Sequence, residues 1–472
     1  MTRPREPKPF PGKIKEQLAM RFAPERLEAL ARQSQFIQRS SSKMTGQDFF
    51  ALMTTEILDD PAVSLGGLCD LLRQRNPQAA MTPQALHQRL NTPQAVVYMQ
   101  EVWQWALREQ FAPLYDALPA GLLAPFGRVL LEDSTQCCLH EKLADAFKGS
   151  GGSASSSTVK IDVIYELRHH QLCDVAVTDG RAADQGRAAA IVPHLRAGDL
   201  VIRDLGYFSL DPLRQIAAKQ AWFLSRLSKS AEVYPSPEET ASALVLVDHV
   251  QRHAGQHTVV DLAVYVGQAR LPCRLLAYRL PEAVVEQRRR SAWETARKKS
   301  RTPTQAYLNW LQYGWYITNV HPTVWAAEVV ETVYRIRWQI ELLFKQWKSL
   351  LHLHVLTGTR PERIKCLLYG RLITITMLMR FCAYASWYAS AVLRREISLH
   401  KLIVWLKRKG RFAQAMHDGT VETLCRDLRR DIAALLCKQK RKRKTSQQLL
   451  ATCGPSRESC SQGEMMPADQ AA

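Results

Sequence analysis

The hydrophobic pattern changes period along the chain. Through residues 1–120 apolar positions recur at three-and-four spacing, as in ERLEALARQSQFI and VVYMQEVWQWALREQF, which predicts a helical region. Within it Ser64 is placed to cap SLGGLCDLLRQR, Asn76-Pro77 ends that helix, and Thr82-Pro83 opens TPQALHQRLN. Two helices about a short turn form a candidate helix-turn-helix with Gln84, His87, Gln88 and Arg89 at its polar positions. An ordinary two-helix corner has the same pattern, so the alternative of simple bundle packing stays open.

Near residue 127 the period becomes two and β-branched residues take over. GRVLLEDSTQCCL, VKIDVIYEL and QLCDVAVTDG read as three successive strands. GRAADQGRAAAIVPHL then reads as helix, DLVIRDLGYF as strand, SLDPLRQIAAKQ as helix and AWFLSRL as strand. The order βββαβαβ predicts an α/β fold, a mixed sheet flanked by helices. Residues 231–320 interrupt it with strand-like ALVLVDHV, HTVVDLAVYV and CRLLAYRL and a basic helix from Pro281 to Arg301, an expected β-rich insertion subdomain. A long helix from about Trp325 to Ser349 follows. The expected organisation is a helical region at 1–120, the sheet at 121–230, the insertion at 231–320, the end of the core at 321–380, a helical region at 381–437 and a basic, aperiodic tail at 438–472.

Length, composition and charge narrow the class. With 472 residues, 46% hydrophobic and 23% charged, the chain has the makeup of a multi-domain globular protein. A formal charge of +20 favours a polyanionic partner, nucleic acid ahead of an anionic membrane. The eleven cysteines include no C-x-x-C pair, which reads as reduced thiols, and no apolar stretch follows the basic N-terminus as in a signal peptide. The expected location is therefore intracellular. Leu372–Leu393 carries only Arg380 as a charge and reaches membrane-spanning length, but it reads as a buried helix with Arg380 at its polar edge, so no membrane partner is expected.

The chemistry is sparse. GSGGSASSS lacks the Gly-Lys-Ser/Thr ending of a phosphate loop, and His169-His170 and His352-x-His354 lack the partners of a zinc site. Two carboxylates stand out because each ends an apolar strand: Asp133 in RVLLED and Asp204 in LVIRD, the latter followed by Leu205-Gly206-Tyr207. Taken singly, either is also an ordinary turn residue. On a helical wheel Tyr334, Arg337, Glu341, Lys345 and Lys348 fall within one polar stripe, opposite Ile336, Ile340, Leu343 and Trp347. A solvated face with i,i+4 ion pairs would look the same.

These residues carry a resemblance. Tyr334, Arg337, Glu341 and Lys348 match the Y-(2)-R-(3)-E-(6)-K signature of DDE transposases of the insertion sequence 4 family. LLEDSTQCCL is similar to that family's first-aspartate segment, and IRDLGYF to its second. The resemblance covers roughly residues 125–380. It implies a ribonuclease-H-like core with Asp133, Asp204 and Glu341 as catalytic metal ligands, and Mg2+, or Mn2+ in its place, as cofactor. Two such ions about 3.5–4 Å apart activate the attacking oxygen and stabilise the leaving one in phosphodiester cleavage, and carboxylate oxygens suit them.

The implied activity is cut-and-paste transposition: hydrolysis at the terminal inverted repeats of an insertion sequence, then strand transfer of the 3′-hydroxyls into target DNA. The implied partners are double-stranded DNA and a second copy of the chain in a synaptic complex, in the bacterial cytoplasm at the nucleoid. Arg337 and Lys348 would grip phosphates, Tyr334 would position the strand, and Lys345, by its angle on the stripe, would meet a phosphate. Trp315 is the candidate for stacking on a flipped base, its alternative being a core role. Gln84, Gln88 and Arg89 are the candidates for base reading. Two other readings stay open, a transposase-derived DNA-binding protein that no longer cuts and a ribonuclease-H-like nuclease without strand transfer.

Overall fold

A computed structural model describes residues 10–39, 43–58, 60–108, 121–151, 155–254 and 258–438. The basic tail lies outside these residues except for Lys438, as does the middle of the Gly/Ser stretch. Nine strands are described: β1 (Val129–Cys138), β2 (Thr158–Glu166), β3 (Gln171–Asp179), β4 (Leu200–Arg203), β5 (Trp222–Arg226), β6 (Val233–Tyr234), β7 (Val259–Val266), β8 (Leu271–Arg279) and β9 (Tyr313–Thr318). They form a mixed sheet in the order β3-β2-β1-β4-β5-β9-β8-β7-β6. β4 pairs in parallel with β1 and with β5, whereas β2 with β3 and the run from β5 through β9, β8 and β7 to β6 are antiparallel. The architecture is α/β, with helices flanking the sheet.

The described residues form two compact units that cut across the linear segments expected from the sequence. One comprises 10–108, 134–182 and 340–438; the other comprises 121–133 and 183–339. β1 belongs to both, changing unit after Asp133.

In the first unit, the helix Pro361–Trp387 is the central core element, buried along nearly its whole length. It packs against the helices Pro93–Arg108 and Gly46–Thr54. At Gly370 an added Cβ would lie 2.1 Å from the Met53 carbonyl oxygen, so only glycine permits this closeness of backbones. Its membrane-length window is wholly buried within the protein, and Arg380 is 3% exposed and donates to Gln17 Oε1 at 2.7 Å. This is the buried helix expected from the sequence. The helix-turn-helix segment also forms as expected: Ser64 Oγ accepts from the Gly67 N–H to cap Leu65–Arg75, and Thr82 Oγ1 accepts from Ala85 to cap Pro83–Leu90.

In the second unit, the expected insertion is not a separate subdomain. β9 pairs with β5 on one side and β8 on the other, so these strands extend the same sheet. Two local expectations also change. ALVLVDHV, read as a strand, contributes to the helix Leu246–Ala254, because Leu246 and Val250 bury one face while Arg252 and His253 close its last turn. GRAADQGRAAAIVPHL, read as a helix, holds only the short 3-10 turns Asp184–Arg187 and Val192–His194, which contain the poor helix formers Gly186 and Pro193.

Candidate active site

The site grows from the middle of β1 and the end of β4, which run parallel. Their register pairs Val129 with Leu200 through Glu132 with Arg203, both strands being buried over this span. Glu132 and Arg203 meet as a buried ion pair, Nη2 to Oε2 2.6 Å, with side chains 3% and 0% exposed. Arg203 also donates to the carbonyls of Ala188 at 3.0 Å and Tyr207 at 3.4 Å. Burial pulls its guanidinium pKa down while Glu132 opposes the shift. Side chains alternate across a strand, so the next residues, Asp133 and Asp204, leave on the opposite side from this pair. Sequence reasoning missed the pair. The available signal was a charged residue immediately before each aspartate, acidic Glu132 before Asp133 and basic Arg203 before Asp204.

Asp204 stands immediately before the short turn Leu205–Tyr207, without a side-chain bond capping it. A Cβ at Gly206 would sit 2.8 Å from Asp184 Oδ2, so the glycine admits that carboxylate beside the turn that carries Asp204.

The helix bearing the signature is not continuous. One helix ends at Tyr334, a 3-10 turn spans Arg335–Arg337, and a new helix runs Trp338–Leu351. Tyr334 is buried, and its hydroxyl donates to Asp204 Oδ1 at 2.9 Å. Burial, with the negative charge of Asp204 beside it, pushes its pKa well above the phenol range, so it stays a donor at every physiological pH. Arg337 Nη1 donates to Asp133 Oδ2 at 3.1 Å, and its Nε lies 3.8 Å from Asp204 Oδ1. The two aspartates of the expected triad therefore converge on one cationic side chain.

Glu341 is half-buried on the helix Trp338–Leu351, whose apolar face of Ile340, Leu343 and Trp347 is buried as expected. Lys345 is exposed, and Lys348 donates to the Gln136 carbonyl at 2.7 Å. Among the described residues no three or more His, Cys, Asp or Glu side chains gather closely enough to hold a metal ion. Asp133 and Asp204 are oriented toward a positive charge, and Arg337 supplies it.

Other expected site residues divide. Gln84 and Gln88 are exposed on the helix Pro83–Leu90, but Arg89 turns inward, donating to the Phe36 carbonyl at 2.7 Å and lying over the Phe36 ring. Trp315 corrects the expectation placed on it. It is 3% exposed in the middle of β9, stacks on Trp310 at 4.3 Å and donates its Nε1–H to the Trp310 carbonyl, so its ring faces are not offered to a base. The exposed tryptophans of this unit are Trp338, 56% exposed beside Arg337, and Trp293, 48% exposed on the basic helix Glu282–Lys298. On that helix Arg288 is held by the Tyr313 carbonyl, while Arg290 stays solvent-facing against Glu286. His169 and His170 serve the β2–β3 turn, His169 bonding Glu166 at 2.9 Å and His170 bonding the Tyr165 hydroxyl, with burial pulling the His170 pKa down to about 4.

Residues 124–377 match the model of the transposase DDE domain, which is more than half of the chain. The chain belongs to the DDE transposases. It is similar to the transposase for insertion sequence element IS231B of Bacillus thuringiensis subsp. berliner, 30% identical over 82% of this chain and 83% of that one. It is 31% identical to the transposase for IS231F of Bacillus thuringiensis subsp. israelensis, over 76% and 78% of the two chains. Among solved structures, a piggyBac transposase synaptic complex with hairpin DNA aligns over 93% of this chain and 87% of that chain at 12% identity and TM-score 0.44, a likeness too slight to bear on the reading. This DDE transposase is an enzyme of DNA transposition, it binds DNA, and its family's reaction depends on a divalent metal.

Proposed function

We propose that this transposase is of the insertion sequence 4 type and mobilises an insertion sequence by cut-and-paste transfer, cleaving at terminal inverted repeats and joining the freed 3′-hydroxyls to target DNA. The observation that carries this is the convergence of Asp133 and Asp204, from adjacent parallel strands, on Tyr334 and Arg337 of the signature. Asp133 and Asp204, with Glu341 assigned from the signature spacing, would hold Mg2+, or Mn2+ in its place. The metal, when bound, activates the attacking oxygen and stabilises the leaving one.

The protein's own groups do the rest. Tyr334, fixed as a neutral donor, orients the Asp204 carboxylate. Arg337 and the lysines Lys345 and Lys348 face phosphates, which position a strand without reading it. Base reading falls to Gln84 and Gln88, exposed at the surface of the capped helix Pro83–Leu90. The active form is a homodimer that synapses two element ends, working in the bacterial cytoplasm at the nucleoid.

The test is strand transfer in vitro. A labelled duplex carrying the element's own terminal repeat is incubated with the full chain, Mg2+ and a supercoiled target plasmid. Covalent joining of the labelled 3′ end to the plasmid, abolished by EDTA, is the expected result. Nicking without joining would reduce the reading to that of a nuclease.

A further inference from the structure

We infer that Arg337 is an exchangeable placeholder: without DNA it neutralises Asp133 and Asp204, and a DNA phosphate draws it away so that the aspartates take up metal. The inference rests on the proposed metal-bearing role of these aspartates and adds the order in which DNA and metal bind.

The geometry is that of a competitor. Arg337 sits 3.1 Å from Asp133 and 3.8 Å from Asp204, on the carboxylates a cation would need. A divalent ion entering there meets a fixed positive charge a few ångströms away, a repulsion that is strong in a partly desolvated site. The side chains of Arg337, Asp133 and Asp204 are 15%, 19% and 39% exposed, so solvent and a polyanion reach the cluster. The residue stands on a three-residue 3-10 turn between two helices, where a change of side-chain direction does not require unwinding a long helix.

The contrast with Arg203 is instructive. That guanidinium is wholly buried and is held by Glu132 and two main-chain carbonyls, so it has no route to DNA. Arg337 sits instead beside partly exposed carboxylates, and guanidinium binds phosphate through the same forked geometry that it uses for carboxylate. Once Arg337 transfers to a phosphate, its positive charge no longer lies against Asp133 and Asp204, and their affinity for a divalent cation rises. Because binding couplings are reciprocal, the metal must then tighten the grip on DNA by the same factor. The consequence is an enzyme that becomes loaded for cleavage only where a strand is already seated.

Mn2+ binding to the full chain, followed by electron paramagnetic resonance, tests this with and without a random-sequence duplex, corrected for the duplex's own Mn2+ uptake. In the unaltered protein the duplex is expected to tighten Mn2+ binding about tenfold. Arg337→Gln is expected to bind Mn2+ about tenfold more tightly than the unaltered protein in the absence of DNA, with the duplex adding less than about twofold. No tightening by DNA in the unaltered protein overturns the exchange, whether or not the variant folds. So does Arg337→Gln that binds Mn2+ no better than the unaltered protein. Asp204→Asn separates the two levels: if it leaves Mn2+ binding unchanged, the metal-bearing role of the aspartates fails and the exchange with it. If it weakens binding while DNA has no effect, the exchange alone fails.

Discussion

Two arginine–carboxylate clusters lie one residue apart along β1 and at the end of β4 and differ in almost every physical respect. Glu132–Arg203 is closed to water, short at 2.6 Å and braced by main-chain carbonyls, and its partners are adjacent in the parallel register of β1 and β4. Asp133 and Asp204 with Arg337 are one residue further along, partly exposed, and depend on a side chain brought from 130 or more residues away. A buried pair that loses one partner leaves an uncompensated charge, so the first cluster is committed to the fold. The second cluster is partly open to solvent, which screens its pairing more than that of the first and lets a ligand reach its charges. The contrast teaches how a sheet presents reactive carboxylates: one face fixes the register, and the other carries groups free to change partners.

The largest effect should come from breaking the buried cluster. Glu132→Ala is expected to destabilise the protein by about 3–5 kcal/mol, seen as a lower midpoint in denaturant unfolding. A midpoint close to that of the unaltered protein would mean that the two clusters are alike after all. A second test moves the contrast to the helix Pro83–Leu90, where Arg89 is tied to the Phe36 carbonyl and Gln84 and Gln88 face solvent. Gln84→Ala with Gln88→Ala should reduce discrimination between the element's own end and random DNA by about 1–3 kcal/mol per lost bidentate contact, with an unchanged melting temperature. Unaltered discrimination would move base reading elsewhere, with the basic helix Glu282–Lys298 the next place to look. The smallest effect sharpens the comparison from the other side. Arg337→Gln should change stability by about 1 kcal/mol or less, and a change as large as that for Glu132→Ala would make the exposed cluster structural.

Much of this arrangement was legible in the sequence, for reasons that the exceptions clarify. The strands that position Asp133 and Asp204 were readable because both begin as buried apolar runs, although β1 continues past Asp133 to Cys138 and β4 stops just before Asp204. The caps Ser64 and Thr82 were readable because their chemistry is local. The partnership of Arg337 with both aspartates was not, since spacing along a helix says nothing about a strand brought alongside by the fold. A uniform wheel also hid the 3-10 turn Arg335–Arg337. For Trp315 the resemblance suggested base stacking and left a core role as the alternative, and the core role is the one the structure shows, with the ring of this β9 residue packed on Trp310. Arg89 was misread as free because its acceptor, the Phe36 carbonyl, is 53 residues away.

The central claim is that Asp133, Asp204 and Glu341 form the cleavage centre of a DNA-bound transposase. The most direct measurement is Mg2+-dependent cleavage of a labelled element end by Asp133→Asn, Asp204→Asn and Glu341→Gln, each beside a gel-shift with the same duplex. Metal ligation is separable from phosphate contact, so each variant should retain the shift and lose cleavage by a factor on the order of a thousand or more, as expected when catalytic charge stabilisation is removed. Cleavage near the unaltered rate by any one of them would contradict the account.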